Sequence, residues 1–173
     1  MTFSDQLPAL AIIIPLIAAP GVTLLRVPRL PWLTAALTSA AAFAVALQLA
    51  LAVVDGSTLV YEMGGWPAPF GIALRVDSFS ALLLLIVSGA SVLALAGGRA
   101  SLERDVEEAR APLFYSAWLL VLAGLSGIAV TGDAFNVFVF MEISSLATYI
   151  LVAGGRNRRA LLASYQYLVM GTI

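Results

Sequence analysis

Five long apolar runs leave this chain few ways to fold. They are Leu7–Leu25, Pro31–Val54, Ser78–Gly98, Pro112–Val130 and Ala134–Ala153. Each is long enough to cross about 30 Å of hydrocarbon as a helix rising about 1.5 Å per residue. Hydrocarbon offers no hydrogen bonds to the backbone, so runs of this length satisfy their own peptide groups as helices. A sixth run begins near Ala160 and is still apolar at Ile173. The chain is 61% hydrophobic and 11% charged, whereas a soluble domain is nearer 45–50% apolar and about 25% charged. The expectation is an all-α integral membrane protein of about six transmembrane helices, with residues 1–173 as a single membrane domain. The sixth run lacks a polar flank, so the chain reads as the N-terminal piece of a longer bundle.

Composition removes several kinds of chemistry. There is no cysteine and no histidine, which excludes disulfides, Cys/His metal sites, histidine haem ligands and Ser-His-Asp triads. A net charge of −1 offers no basic surface for nucleic acid. No phosphate loop or metal-ligand spacing occurs, so no cofactor or metal is expected and no enzyme site is read. The residues before Leu7 include Asp5 and no basic residue, unlike the positive n-region of a signal peptide. The first run is therefore read as a retained helix.

All nine basic residues are arginines. Arg26 and Arg29 separate the first two runs; Arg99, Arg104 and Arg110 separate the third and fourth; Arg156, Arg158 and Arg159 follow the fifth. These loops share one side and hold eight of the nine, leaving Arg75 on the other. The positive-inside rule puts the arginine-rich loops in the cytoplasm and the N-terminus outside. Within the arginine-rich set, the charged stretch Ser101–Ala111 reads as a short solvated helix or loop.

Between the second and third runs lies an extended stretch, Leu59–Val76. Ile72, Leu74 and Val76 alternate with Ala73 and Arg75, the period of a strand. Leu59–Met63 can pair with Ile72–Val76 across the Gly- and Pro-rich segment 64–71. The expectation is a small external β-hairpin with Trp66 at the membrane interface, where indole is favoured.

Glu142 is the residue that most needs a role. It lies eight residues past the start of the fifth run, or roughly 12 Å deep. A carboxylate near the midplane costs roughly 2.5–3.5 kcal/mol on insertion scales, so such acids are rare unless paired, hydrated or functional. Phe138, Val139, Ser145, Leu146 and Tyr149 share its helix face. Glu142, Ser145, Tyr149 and Arg156 form a polar stripe towards the arginine-rich end. This suggests a hydrated half-channel that delivers protons to Glu142; the alternative is that Ser145 and Tyr149 only hydrogen-bond a neighbouring helix. A cation that approaches and retreats would switch Glu142 between releasing and taking up a proton. No basic residue lies inside the five complete runs, so that cation must be elsewhere.

Asp133 and Asn136 lie at the outer end of the same run. Thr131-Gly132-Asp133 offers a tight turn and capping oxygens, and Asp77 before Ser78 offers the same to the third run. Asp133 is also a candidate for the proton path, and Asp77 and Asn136 are structural or outer-end candidates. Pro15 and Pro20 should be tolerated within the first helix. Gly89, Gly124 and Gly127 read as close-packing points, whereas Gly97-Gly98 and Gly154-Gly155 read as helix ends.

The stretch Thr131–Tyr149 resembles the fifth helix of the proton-conducting antiporter-like family, which includes Mrp-type sodium/proton antiporter subunits and pumping subunits of respiratory complex I and membrane-bound hydrogenases. Gly65-Trp66-Pro67-Ala68-Pro69-Phe70-Gly71-Ile72, followed by Asp77, resembles the external segment before helix three, most like that of the D-type Mrp subunits. The resemblance covers essentially the whole chain, but only about the N-terminal third of a full family member. It implies a bundle of about fourteen helices built from inverted five-helix repeats, in a hetero-oligomeric complex of other membrane subunits in a bacterial-type inner (cell) membrane. It also implies that Glu142 carries protons in the path, partnered by a lysine on a seventh helix beyond Ile173. Family members often place lysine before the tyrosine of the sixth helix, whereas this chain has Gln166 before Tyr167.

The reading that follows is a proton-translocating subunit of a sodium/proton antiporter. One alternative is the homologous pump module of a quinone reductase or membrane-bound hydrogenase; another is a structural membrane subunit that conducts nothing.

Overall fold

The computed structural model describes residues 6–25, 27, 29–66, 70–155 and 158–172. Six helices and one hairpin follow in chain order: α1 (Leu7–Thr23), α2 (Leu30–Ala52), β1 (Leu59–Glu62), β2 (Ala73–Val76), α3 (Ser78–Asp105), α4 (Ala111–Val130), α5 (Ala134–Ala153) and α6 (Arg158–Thr172). Leu30–Ala52, Ser78–Leu102, Glu108–Val130 and Ala134–Ala153 are long and apolar enough to cross a membrane, and α1 is a shorter apolar helix of 17 residues. The chain is thus a multi-pass membrane protein with a short antiparallel hairpin.

Helix α4 is the hub, touching α1, α2, α3 and α5. Its composition explains this position. Ser116, Ala117, Ala123, Gly124, Ser126 and Gly127 are all buried, and small residues let helix backbones approach where lipid supplies no hydrophobic drive. Two cores fill the bundle. The one at the hairpin end joins Leu7, Ile12, Leu49, Leu74, Val76 and Val130. The one at the arginine-rich end joins Val22, Ala35, Leu95, Phe114, Tyr115 and Leu119. Between them, the Trp118 indole N–H donates to Ser91 Oγ at 2.9 Å, and Ser91 Oγ pairs with Ser39 Oγ at 3.0 Å. This chain of hydrogen bonds staples α4 to α3 and α2. At the arginine-rich end, the Arg99 guanidinium lies 4.1 Å from the Trp32 ring centre, a cation–π contact.

The hairpin pairs Leu59 with Val76, Val60 with Arg75, Tyr61 with Leu74 and Glu62 with Ala73. Beyond the last pair, Met63 N–H donates to Ile72 C=O at 2.9 Å. Gly64 and Gly65, at φ 68° and 75°, take the left-handed conformation that glycine adopts without steric cost. The alternation then sorts the side chains: Leu74 and Val76 enter the hairpin-end core while Arg75 faces out. Trp66 is exposed; Pro67–Pro69, like Arg26 and Arg156, lie outside the described residues.

Two expectations change. Gly97-Gly98 does not end a helix, because α3 runs through both glycines to Asp105. Each glycine costs about 1 kcal/mol relative to alanine, but no proline follows. Leu102 beyond them packs on the arginine-rich core and its carbonyl accepts the Val106 N–H at 2.9 Å. The charged stretch is therefore mostly helix, followed by a 3-10 turn at Glu108–Arg110 with an exposed Arg110–Glu107 pair at 3.3 Å. Thr131-Gly132 also does more than turn the chain. Gly132 N–H donates to Ala73 C=O at 3.0 Å, and Thr131 forms an isolated bridge with Leu74. The strand that leads into α3 is thus stitched to the segment that leads into α5. At the other end, Val106 bridges Gly155.

Candidate functional site

The orientation of α5 is set by its packing on α4. A Cβ on Gly124 would lie 2.8 Å from Ser144 Cβ, and 2.9 Å from both Phe140 O and Ser144 N. A Cβ on Gly127 would fall on the Phe140 ring. Phe140 and Ser144, one turn apart, therefore seat directly in the groove that the two glycines leave open. The buried residues of α5, Asn136, Ser144 and Ala147, lie on this side. Glu142 sits about 200° around the helix from both Phe140 and Ser144. It is exposed, with Phe138, Val139 and Leu146 exposed beside it. The α4–α5 contact thus turns Glu142 away from the bundle formed by α1–α4.

Tyr149 lies on nearly the same meridian as Glu142, two turns further along. It faces α6. Its ring meets the Tyr167 ring edge-on at 5.1 Å, and its carbonyl accepts from Ser164 Oγ at 2.8 Å. Ser145 lies between Glu142 and Tyr149 and is half-buried. The structure brings Glu142, Ser145 and Tyr149 to one side of α5. Arg156, the fourth member of the expected stripe, lies outside the described residues.

Asp133 and Asp77 form caps. Asp133 Oδ1 accepts from Phe135 N–H at 3.1 Å, and Oδ2 accepts from Asn136 Nδ2 at 3.2 Å. Asn136 is buried against the rest of the bundle. The first contact satisfies a free N–H group at the α5 start and the second holds the Asn136 amide; both lie about two turns from Glu142. Asp77 Oδ1 accepts from Ser80 N–H at 2.8 Å and so caps α3. The Ser80 backbone and side-chain hydrogen bonds, with a smaller pull from Arg75, hold the Asp77 carboxyl below its usual range.

That shift has a measurable consequence. A carboxylate with a lowered folded-state pKa stabilises the fold above its ordinary pKa of about 4, and loses this contribution as pH falls through the lowered value. Asparagine caps a helix at any pH. Thermal unfolding in detergent should therefore show wild type losing more stability than Asp77→Asn between about pH 6 and pH 3. Equal losses would show that the Asp77 charge contributes nothing.

Sequence reasoning finds Glu142 but misses its setting. Ser164 and Tyr167 on α6, and Phe140 and Ser144 on α5, carry no local mark of their contacts. The only signal for them is spacing: Gly124 and Gly127 at i, i+3, and Ser164 and Tyr167 at i, i+3. Among the described residues no cluster of acidic side chains could hold a metal ion.

A hub helix built of small residues, a neighbouring helix with one outward acid and a stitched hairpin define a polytopic membrane protein. No protein-family model matches the chain. It is similar to the N-type subunit of NADH-quinone oxidoreductase from Desulforudis audaxviator, with 41% identity over 96% of the chain and 34% of the relative. It is also similar to the D-type subunit of the Na(+)/H(+) antiporter from Alkalihalophilus pseudofirmus, with 35% identity over 73% of the chain and 25% of the relative. Among solved structures, a chain of the archaeal membrane-bound sulfane sulfur reductase superposes with TM-score 0.88 at 30% identity, covering 96% of this chain and 34% of that one. A chain of the Mrp complex from a Dietzia species superposes with TM-score 0.86 at 28% identity, covering 99% and 32%. In sequence and in fold the chain is thus similar to antiporter-like membrane subunits of both Mrp antiporters and respiratory membrane complexes. It spans between a quarter and about a third of the length of the curated relatives it matches.

Proposed function

We propose that this chain is part of a proton-translocating membrane subunit of a multisubunit monovalent cation/proton antiporter, with sodium as the exchanged cation and Glu142 as the proton carrier. The observation that carries the reading is the direction of Glu142. It is an acid within a membrane span, exposed on the α5 face opposite the α4 groove. Lipid contact there would cost roughly 2.5–3.5 kcal/mol. A polar or charged group from another helix or subunit covers this face in the assembled complex. Ser145 and Tyr149 extend the path along α5, and Asp133 stands at its far end.

The relatives support both halves of this reading. Those named as Na(+)/H(+) antiporter subunits suggest the exchange. The relative named as a probable K(+)/H(+) antiporter subunit makes the cation a matter for direct assay. The arginine distribution supports an N-terminus outside the cell membrane and the hairpin on that side. A second reading, a proton-pumping subunit of a quinone oxidoreductase, is favoured by the 41% identity to the quinone oxidoreductase relative across nearly the whole chain. Both readings give Glu142 the same work and differ in what drives it.

The test is transport by the intact complex in proteoliposomes, with and without Glu142→Gln. Cation-driven proton movement identifies the exchanger, and quinone-dependent movement identifies the pump. Undiminished transport by the variant removes Glu142 from the path.

A further inference from the structure

We propose that Gly171 on α6 is a positioning residue that sets the Tyr149 hydroxyl for proton hand-off to Glu142; this rests on the proton-carrier reading above. Three residues on one face of α6 meet Tyr149. Ser164 bonds its carbonyl, Tyr167 stacks on its ring edge, and Gly171 leaves the space that its hydroxyl fills. Ser164, Tyr167 and Gly171 are spaced i, i+3, i+7, the period of a single helix face. A Cβ at Gly171 would clash with the Tyr149 hydroxyl oxygen, whereas the ring carbon Cζ, 3.5 Å away, would be at ordinary contact distance. The notch therefore fits the hydroxyl, not the ring.

Height along the bundle links this notch to Glu142. Helices α5 and α6 are joined by a short connection and run antiparallel, with Ser164 level with the Tyr149 carbonyl. Seven residues onward on α6 is Gly171, and seven residues back on α5 is Glu142. Each step rises about 10 Å, so Gly171 and Glu142 reach the same height. Side chains on a helix lean towards its N-terminus, which for Tyr149 is towards Glu142. The hydroxyl is thereby carried towards the acid's level, while the same lean carries the Glu142 carboxyl a further step along α5 and leaves a gap for a bridging water molecule.

A phenol can relay a proton because it both donates and accepts. The Tyr149 O–H bond breaks as an O–H bond forms on the water molecule in that gap, and that water passes one of its own protons to the Glu142 carboxylate. The phenol oxygen takes a replacement proton from a hydronium ion on its other side, which leaves as water, and the ring stays neutral. Gly171 takes no part in the transfer and acts through the hydroxyl's position.

The test compares Tyr149→Phe, Gly171→Ala and the double variant in the intact complex, by proton transport rate in H2O and D2O and by thermal stability. Each single variant should lower the rate about tenfold, short of the ~10²–10⁴-fold carried by a primary acid–base group. Tyr149→Phe should also change the solvent isotope effect, which a packing defect alone would leave unmoved. The double variant should be no slower than Tyr149→Phe, and more stable than Gly171→Ala, because phenylalanine lacks the atom that the new methyl meets. A wild-type rate in either single variant overturns the proposal. So does a Gly171→Ala penalty that persists undiminished in the Tyr149→Phe background. If Gly171→Ala does not assemble, the rate and isotope effect of Tyr149→Phe decide alone. Full transport by Glu142→Gln removes the underlying function; silence of Glu142→Gln with a wild-type rate in Tyr149→Phe removes only this inference.

Discussion

Glu142→Gln should lower proton transport by the assembled complex about 10²–10⁴-fold, the range for a positioned group that gives and takes a proton. Glutamine keeps the volume and hydrogen-bonding reach of the side chain but cannot carry the proton. It is also uncharged, so membrane insertion is no harder than for wild type. The geometry makes the prediction sharp. Phe140 and Ser144 seat in the Gly124/Gly127 groove, and Glu142 is on the opposite side and exposed. The substitution therefore leaves the α4–α5 groove intact, and folded yield, thermal stability and subunit composition should match wild type. Proton uptake into proteoliposomes, read with a pH-sensitive dye beside those controls, checks it. A variant that assembles normally and transports at more than about a tenth of the wild-type rate would refute the carrier role.

Two glycine substitutions should move stability in opposite directions. At Gly124, alanine's methyl would meet Phe140 O and Ser144 N at 2.9 Å. Both are backbone atoms, which cannot rotate aside as a flexible side chain can. The helices must separate, at a cost of about 1–3 kcal/mol for overpacking, or several degrees in Tm for a chain of this size. At Gly97, nothing lies within 4 Å of the added methyl. That position is inside α3, where alanine is favoured over glycine by up to about 1 kcal/mol. Gly97→Ala should raise Tm and Gly124→Ala should lower it, as followed by helical circular dichroism in detergent. Gly124→Ala should also reduce transport, because separating α4 from α5 releases the rotation that aims Glu142. Equal shifts at the two positions would mean that the α4–α5 groove is not tightly packed.

The two glycines also mark where sequence reasoning reaches its limit. Both are helical glycines in apolar surroundings. Gly97 has Gly98 and then Arg99 after it, which reads as a helix end. Only the packing of Leu102 on the far core, a contact across helices, carries α3 onward. The hairpin is legible because its information is local: alternation in Ile72–Val76 and turn residues between the strands. Its stitch to Thr131 and Gly132 joins residues more than fifty positions apart and leaves no local trace. The Ser39–Ser91–Trp118 staple is illegible for the same reason, since isolated serines are common in membrane helices. The depth of Glu142 can be counted from the sequence. Its direction cannot, because α5 has polar residues on both sides, Ser145 and Tyr149 beside Glu142 and Asn136 and Ser144 on the packed face, so polarity does not mark the face that packs. The nearest clue is on another helix, in the Gly124/Gly127 pair.

The α4–α5 groove also bears on how the protein is made. A nascent helix bearing a midspan carboxylate partitions poorly into lipid by itself. Helix α5 leaves the ribosome immediately after α4, joined to it by three residues, 131–133, and its apolar seat on α4 is already complete. The two can therefore leave the insertion machinery as a docked pair, with the acid still turned towards the open side of the translocon. On the proposed function, its exposure in the lipid phase then ends when a later helix or a partner subunit arrives to cover it. An orphan copy of the subunit would keep that acidic face uncovered, the kind of polar intramembrane surface by which membrane quality control can recognise an unassembled chain.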